Sequence, residues 1–342
     1  MKHFRKIILF ILLLPIFLLT ACNGGGEALS TNSATPSPTP KPTIPVLEGN
    51  EQGDEIPDSG IILQNERLKV EICKPGVDYT ADRFDWAGII KQVTLDGEYT
   101  FLSKEDPFDA ENKSGGIGII NAFEPKVGKL IKANYSVKKI GDYAAVFYYK
   151  DVNKEGISTL KFIRTIQLDG NKIIISNELS NLSADKKLSV TEYNHNFFQI
   201  DGKMTGPDYE LSFPYTPEKG DPVAGISDIF TFADKTISWS KELNLDEDKT
   251  KLEEREEDCL MQIKGFDHET KNYWWKLTYK PTGVGVKATN DFKMSTVKNQ
   301  SFQLWCRRYC ICPEVFYKET AEPQSTLNWT RTYEFFTNDD AG

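Results

Sequence analysis

Thr191-Glu192-Tyr193-Asn194-His195-Asn196-Phe197-Phe198 reads as a β-strand with a histidine inside it. Threonine and aromatic residues favour extended backbone, and successive side chains of a strand point to opposite faces. The chain has three histidines. An imidazole titrates near neutrality, about pH 6.5 when unperturbed, and is the usual group for moving a proton at physiological pH. The flanking amides of Asn194 and Asn196 can orient His195 or hydrogen-bond a hydroxylated ligand. The competing reading is a half-buried histidine satisfied by a backbone carbonyl.

Further strand-like runs lie on both sides of this stretch: Ile61–Ile72, Ile89–Leu95, Tyr135–Ile140, Ala144–Lys150, Ser158–Leu168, Lys172–Glu178, Leu188–Glu192, Lys235–Ser240, Trp274–Tyr279 and Gly283–Ala288. Asp96-Gly97, Asp169-Gly170-Asn171 and Pro281-Thr282-Gly283 supply turns between them. The continuous apolar run in Lys172–Leu179 predicts a strand covered on both faces. No long stretch has helical periodicity, and no internal repeat is present. The acidic stretch from Asp246 to Asp258 predicts a solvated loop or short helix. The chain therefore reads as all-β, a large antiparallel sandwich over residues 59–342, a length that one such domain can span.

Residues 1–21 read as a leader. Lys2, Arg5 and Lys6 precede an apolar run from Ile7 to Leu19 that is short for a bilayer span of about 20 residues. Leu19-Thr20-Ala21-Cys22 follows, and residues 22–58 are rich in Gly, Pro, Ser and Thr. Such a segment cannot bury enough apolar surface to offset its ordering entropy, so it predicts an extended tether. Removing the three leader cations takes the chain from −9 to −12. That balance excludes a nucleic-acid surface, which needs clustered Lys and Arg.

Six cysteines are present. With Cys22 set aside, Cys73, Cys259, Cys306, Cys310 and Cys312 form an odd set, so at least one thiol stays unpaired in a monomer. The Cys306-x3-Cys310-x-Cys312 spacing lacks a nearby histidine and differs from the usual CxxC pairs of zinc sites. It predicts core, with no metal and no cofactor.

Several of these stretches are similar to the aldose 1-epimerase, or galactose mutarotase-like, superfamily. Asn194-His195-Asn196-Phe197-Phe198-Gln199-Ile200 resembles that family's T-N-H-x-Y-F-N-L signature, and Ile311-Cys312-Pro313-Glu314 its strand ending in a catalytic glutamate. Leu63–Val70 resembles the opening strand, Gly88–Gly97 the next hairpin, and Ala321–Ser325 through Thr332–Phe335 the closing segment. Leu19–Cys22 resembles the lipobox of bacterial lipoproteins, which implies lipid on Cys22 and a membrane-anchored, extracytoplasmic protein; a monomer is expected. The family's upstream histidine has no match. At a comparable place stands Gly115–Glu124, where Asn121 or Glu124 would take over ligand contact.

The resemblance implies a β-supersandwich and a sugar or oligosaccharide ligand. It also implies anomer interconversion, with Glu314 as base and His195 as acid. That reaction needs a carboxylate and an imidazole within hydrogen-bond reach on opposite sides of the sugar. Arg83, beside Asp85 and Trp86, and Arg164, in an apolar strand, are candidate sugar contacts. Their alternatives are a buried Arg–Asp pair at Arg83 and a side chain snorkelling to a rim at Arg164. Of Trp274 and Trp275 at most one lines a pocket, with core packing preferred. Trp305 and Arg307 share the face of the approach to Glu314, and His268 reads as a surface turn. Two other functions stay open: a sugar-binding lipoprotein without turnover, and a polysaccharide-processing enzyme such as a lyase.

Overall fold

The computed structural model describes residues 53–80, 84–103, 116–124, 134–152, 156, 158–226, 228–243, 258–265, 273–292 and 301–340. Among these the regular structure is β, apart from short 3-10 turns. In chain order the first strands are Ile61–Gln64 (β1), Leu68–Ile72 (β2), Ile90–Leu95 (β3), Tyr99–Thr100 (β4), Ile117–Glu124 (β5), Ser136–Ile140 (β6) and Ala144–Val152 (β7). Then come Ser158–Asp169 (β8), Lys172–Asn181 (β9), Leu188–Asn196 (β10), Tyr209–Ser212 (β11), Glu218–Gly225 (β12), Phe230–Ala233 (β13) and Thr236–Trp239 (β14). The last are Asp258–Lys264 (β15), Tyr273–Tyr279 (β16), Val284–Phe292 (β17), Ser301–Arg307 (β18), Cys310–Ala321 (β19) and Thr326–Phe336 (β20).

Two ten-stranded sheets result. One runs β1-β2-β3-β5-β10-β19-β18-β15-β12 with β4 beside β3; the other runs β13-β14-β11-β16-β17-β20-β9-β8-β7-β6. The predicted large antiparallel sandwich is borne out. Its cause is visible in the period-2 burial of the strands. In β20, Leu327, Trp329, Arg331, Tyr333 and Phe335 turn inward, while Thr326 and Asn328 are exposed.

Two details differ from the sequence reading. The run Ile61–Ile72 is a hairpin, because the Asn65 side chain accepts bonds from the Arg67 and Leu68 amides and turns the chain. Strand β9 is covered on one face rather than both: Ile173 and Ile175 are buried but Ile174 is half-exposed.

Polar side chains cross between the sheets and bond one another there. Glu192 accepts from Trp329 and, at 2.8 Å, from Arg331. Arg331 also donates to Asn290 (2.6 Å) and to the Val315 carbonyl (2.9 Å). Buried charge is tolerated only when it is paired and hydrogen-bonded like this. Neither Glu192 nor Arg331 stood out in the sequence.

Candidate functional site

Strand β10 is central in its sheet, paired with β5 on one side and β19 on the other. Its alternation sends Glu192, Asn194 and Asn196 toward the second sheet, where Asn194 Nδ2 lies 2.6 Å from the Tyr333 hydroxyl. That hydroxyl in turn donates to Asn196 Oδ1 at 2.8 Å. His195, between them, turns to the opposite face. The expectation that Asn194 and Asn196 contact a ligand beside His195 is thereby corrected, since strand geometry places neighbours on opposite faces.

On the His195 face the register sets β19 alongside, so Cys312 and Glu314, two residues apart, both reach the imidazole. Cys312 Sγ lies 3.2 Å from His195 Nδ1, and His195 Nε2 lies 3.4 Å from Glu314 Oε1. The thiol also donates to Glu314 Oε1 at 3.3 Å, which closes a three-membered cluster. The Asn196 amide donates to Cys312 Sγ at 2.9 Å. Burial, reinforced by the Glu314 carboxylate, pushes the Cys312 thiol well above its usual range. His195 and Glu314 are each 4% exposed.

Aromatic rings wall the cluster. Phe197 stacks on the imidazole at 4.5 Å, Trp305 meets it edge-on at 5.1 Å, and Phe84 stands 5.8 Å away. Phe84 fits because its neighbour is Gly118, which pairs with His195 in the sheet. A β-carbon there would lie 2.5 Å from the Phe84 ring. Arg307 lies over the Trp305 ring at 5.3 Å, so both share the site's face as expected.

Arg164 is elsewhere. It is fully buried and bonds Asp85 (3.3 Å), the Ala87 carbonyl (2.7 Å) and Asn177 (2.8 Å). The readings of Arg164 as a ligand contact or a snorkelling rim residue are both corrected. It secures the segment carrying Phe84 from within the sandwich. Trp275 is core, 1% exposed, and Trp274 is half-exposed under Lys287. Cys22, Arg83 and His268 lie outside the described residues. Asn121 is placed by its backbone, opposite Glu192, and its side chain is outside the description. Cys312 was read as core; its spacing of two from Glu314 on a strand was the signal that it shares the site. Cys73, Cys259, Cys306, Cys310 and Cys312 are all buried, and none is in a disulfide.

With both sheets and the cluster in place, solved structures provide the comparison. A galactose mutarotase related enzyme from Lactobacillus acidophilus is 11% identical, with 80% of this chain and 96% of that one covered at a TM-score of 0.50. A galactose mutarotase-like protein from Lactobacillus casei is 12% identical, with 81% and 99% covered at 0.51. A protein from Synechocystis sp. PCC 6803 is 12% identical, with 86% and 100% covered at 0.53. The fold is galactose mutarotase-like. In sequence, no family model and no curated protein matches. Within this galactose mutarotase-like fold, His195, Cys312 and Glu314 are an imidazole, a thiol and a carboxylate whose donor atoms lie within 4.8 Å of one another. Such a set can exchange protons with a bound molecule or share a cation.

Proposed function

We propose that residues 59–342 form a sugar-acting domain of the aldose 1-epimerase type, anchored outside the bacterial membrane by lipid on Cys22. The carrying observation is the His195–Glu314 pair on one face of the central strands. Glu314 takes the proton from the anomeric hydroxyl, His195 gives one to the ring oxygen, and the opened chain recloses from the other face. This role requires His195 to carry the proton it donates, with the Glu314 carboxylate beside it at 3.4 Å. Trp305 offers an apolar ring face for stacking against the sugar. For the two groups to act from opposite sides, sugar entry has to part their 3.4 Å contact.

That contact favours a second reading, sugar binding without turnover, because no pyranose ring fits between groups already touching. The lyase reading is weakened, since buried Arg164 is spent on Asp85 and cannot neutralise a uronate.

Anomer equilibration of freshly dissolved neutral and acidic aldoses, followed by proton NMR, separates these readings. Acceleration by the wild type that is lost in both His195→Ala and Glu314→Gln supports the epimerase. Line broadening without acceleration supports binding alone. No effect on any monosaccharide or oligosaccharide removes both.

A further inference from the structure

We propose that His195, Cys312 and Glu314 bind a divalent, thiophilic cation of the zinc type. The sequence spacing gave no histidine near Cys312, but the β10–β19 register supplies one from 117 residues away. The set then contains one sulfur, one imidazole and one carboxylate, the donor types that zinc takes in three-ligand sites with a fourth position open. Donors at zinc distances of about 2.0–2.3 Å stand roughly 3.3–3.6 Å apart around a tetrahedron. The sulfur–carboxylate and sulfur–imidazole separations are already 3.3 and 3.2 Å. At present the thiol faces Nδ1 and the carboxylate faces Nε2. A tilt of the ring presents one nitrogen to both, and all three donor atoms are within 4.8 Å as they stand.

Three further features fit the cation. Thiolate and carboxylate together carry two negative charges, so a dication leaves this buried site neutral, which burial among Phe84, Phe197 and Trp305 favours. The Asn196 amide points at Cys312 Sγ at 2.9 Å, an outer-shell donor to a metal-bound thiolate. The ligands also sit on two adjacent paired strands, which fix their spacing better than loops do. Binding forms metal–sulfur, metal–nitrogen and metal–oxygen bonds and breaks the Cys312 S–H bond. That proton goes to solvent. The inference does not depend on sugar chemistry: a bound cation turns His195 and Glu314 into ligands and competes with their use as acid and base.

The test uses the purified full chain, treated with chelator and then titrated with cobalt(II) alone, with zinc(II) as competitor. The expected result is one equivalent bound, with a sulfur-to-cobalt charge-transfer band that zinc abolishes. Cys312→Ser should lose the band and weaken retention by at least the roughly 10–100-fold that outer-shell changes cost. Cys259→Ser/Cys306→Ser, which alters two thiols paired across β15 and β18 away from the cluster, should keep it. X-ray absorption of the zinc-loaded wild type should show one sulfur at about 2.3 Å and nitrogen or oxygen at about 2.0–2.2 Å. It decides the matter even if Cys312→Ser fails to fold. Absence of a bound equivalent, a shell with no sulfur or two sulfurs, or a band that survives Cys312→Ser would overturn the proposal.

Discussion

Replacing Arg164 by Met removes a guanidinium that makes three buried hydrogen bonds, to Asp85, Ala87 and Asn177. The methionine fills much of the volume, so the cost comes from what remains unpaired. Asp85 is itself fully buried, so without the guanidinium its carboxylate stays inside the sandwich without that counter-charge. Losing one partner of a buried ion pair costs about 3–5 kcal/mol. Replacing both partners by apolar residues is often close to neutral, so Arg164→Met/Asp85→Leu should recover most of that loss. Urea unfolding of the wild type, both single variants and the double variant measures this coupling. Amide exchange at Asp85, whose N–H bonds the Ile119 carbonyl at 2.8 Å, should quicken in Arg164→Met as the Phe84 segment loosens. A loss below about 1 kcal/mol would refute the reasoning, as would a double variant no better than the sum of the singles. A change in sugar binding at unaltered stability would restore Arg164 as a ligand contact.

Two other outcomes follow from burial. Gly118→Ala places a β-carbon 2.5 Å from the Phe84 ring, so the ring must leave its seat beside His195. Overpacking of this kind costs about 1–3 kcal/mol, and mass-spectrometric mapping should find faster thiol labelling at Cys312; unchanged labelling and stability would contradict it. The second concerns alkali: burial, with Asp78 adding to it, pushes the Cys73 thiol from 9.0 up to about 12. The folded value is the higher one, so its contribution is full below pH 9.0 and is lost as pH rises toward 12. The loss is up to about 4 kcal/mol. Buried Tyr135 and Tyr273 act in the same direction. Thermal unfolding at stepped alkaline pH should show a shallower decline for Cys73→Ala than for wild type, and parallel declines would count against this account.

The legible part of the fold was the part that rests on period-2 alternation and turn chemistry. Strands β8, β10 and β16 were visible because branched and aromatic residues alternate there with polar ones, and β9 because of its continuous apolar run. Strand β12 was not, since Pro222 sits within it and its pairing to β15 shifts register beside that residue. Strand β5, preceded by Gly115-Gly116, was noted only as standing where the family has a further histidine and was not read as a strand. Pairing order is also invisible locally: β10 lies between β5 and β19, partners distant in sequence. The same alternation that revealed β10 already required Asn194 and Asn196 to leave the His195 face. Cys312 was missed because its spacing was compared only with other cysteines and not with Glu314, two residues on. Arg164 shows the opposite error: a lone charge in an apolar strand found its partner, Asp85, 79 residues away in sequence.

A crystal structure of the protein with a bound aldose tests the central claim most directly. The account predicts the sugar on the outer face of β10 and β19, stacked on Trp305, with His195 and Glu314 parted. The anomeric hydroxyl should lie within about 2.6–3.2 Å of the Glu314 carboxylate. A sugar seated on another face, or a His195–Glu314 contact still closed at 3.4 Å beside a bound sugar, would contradict it.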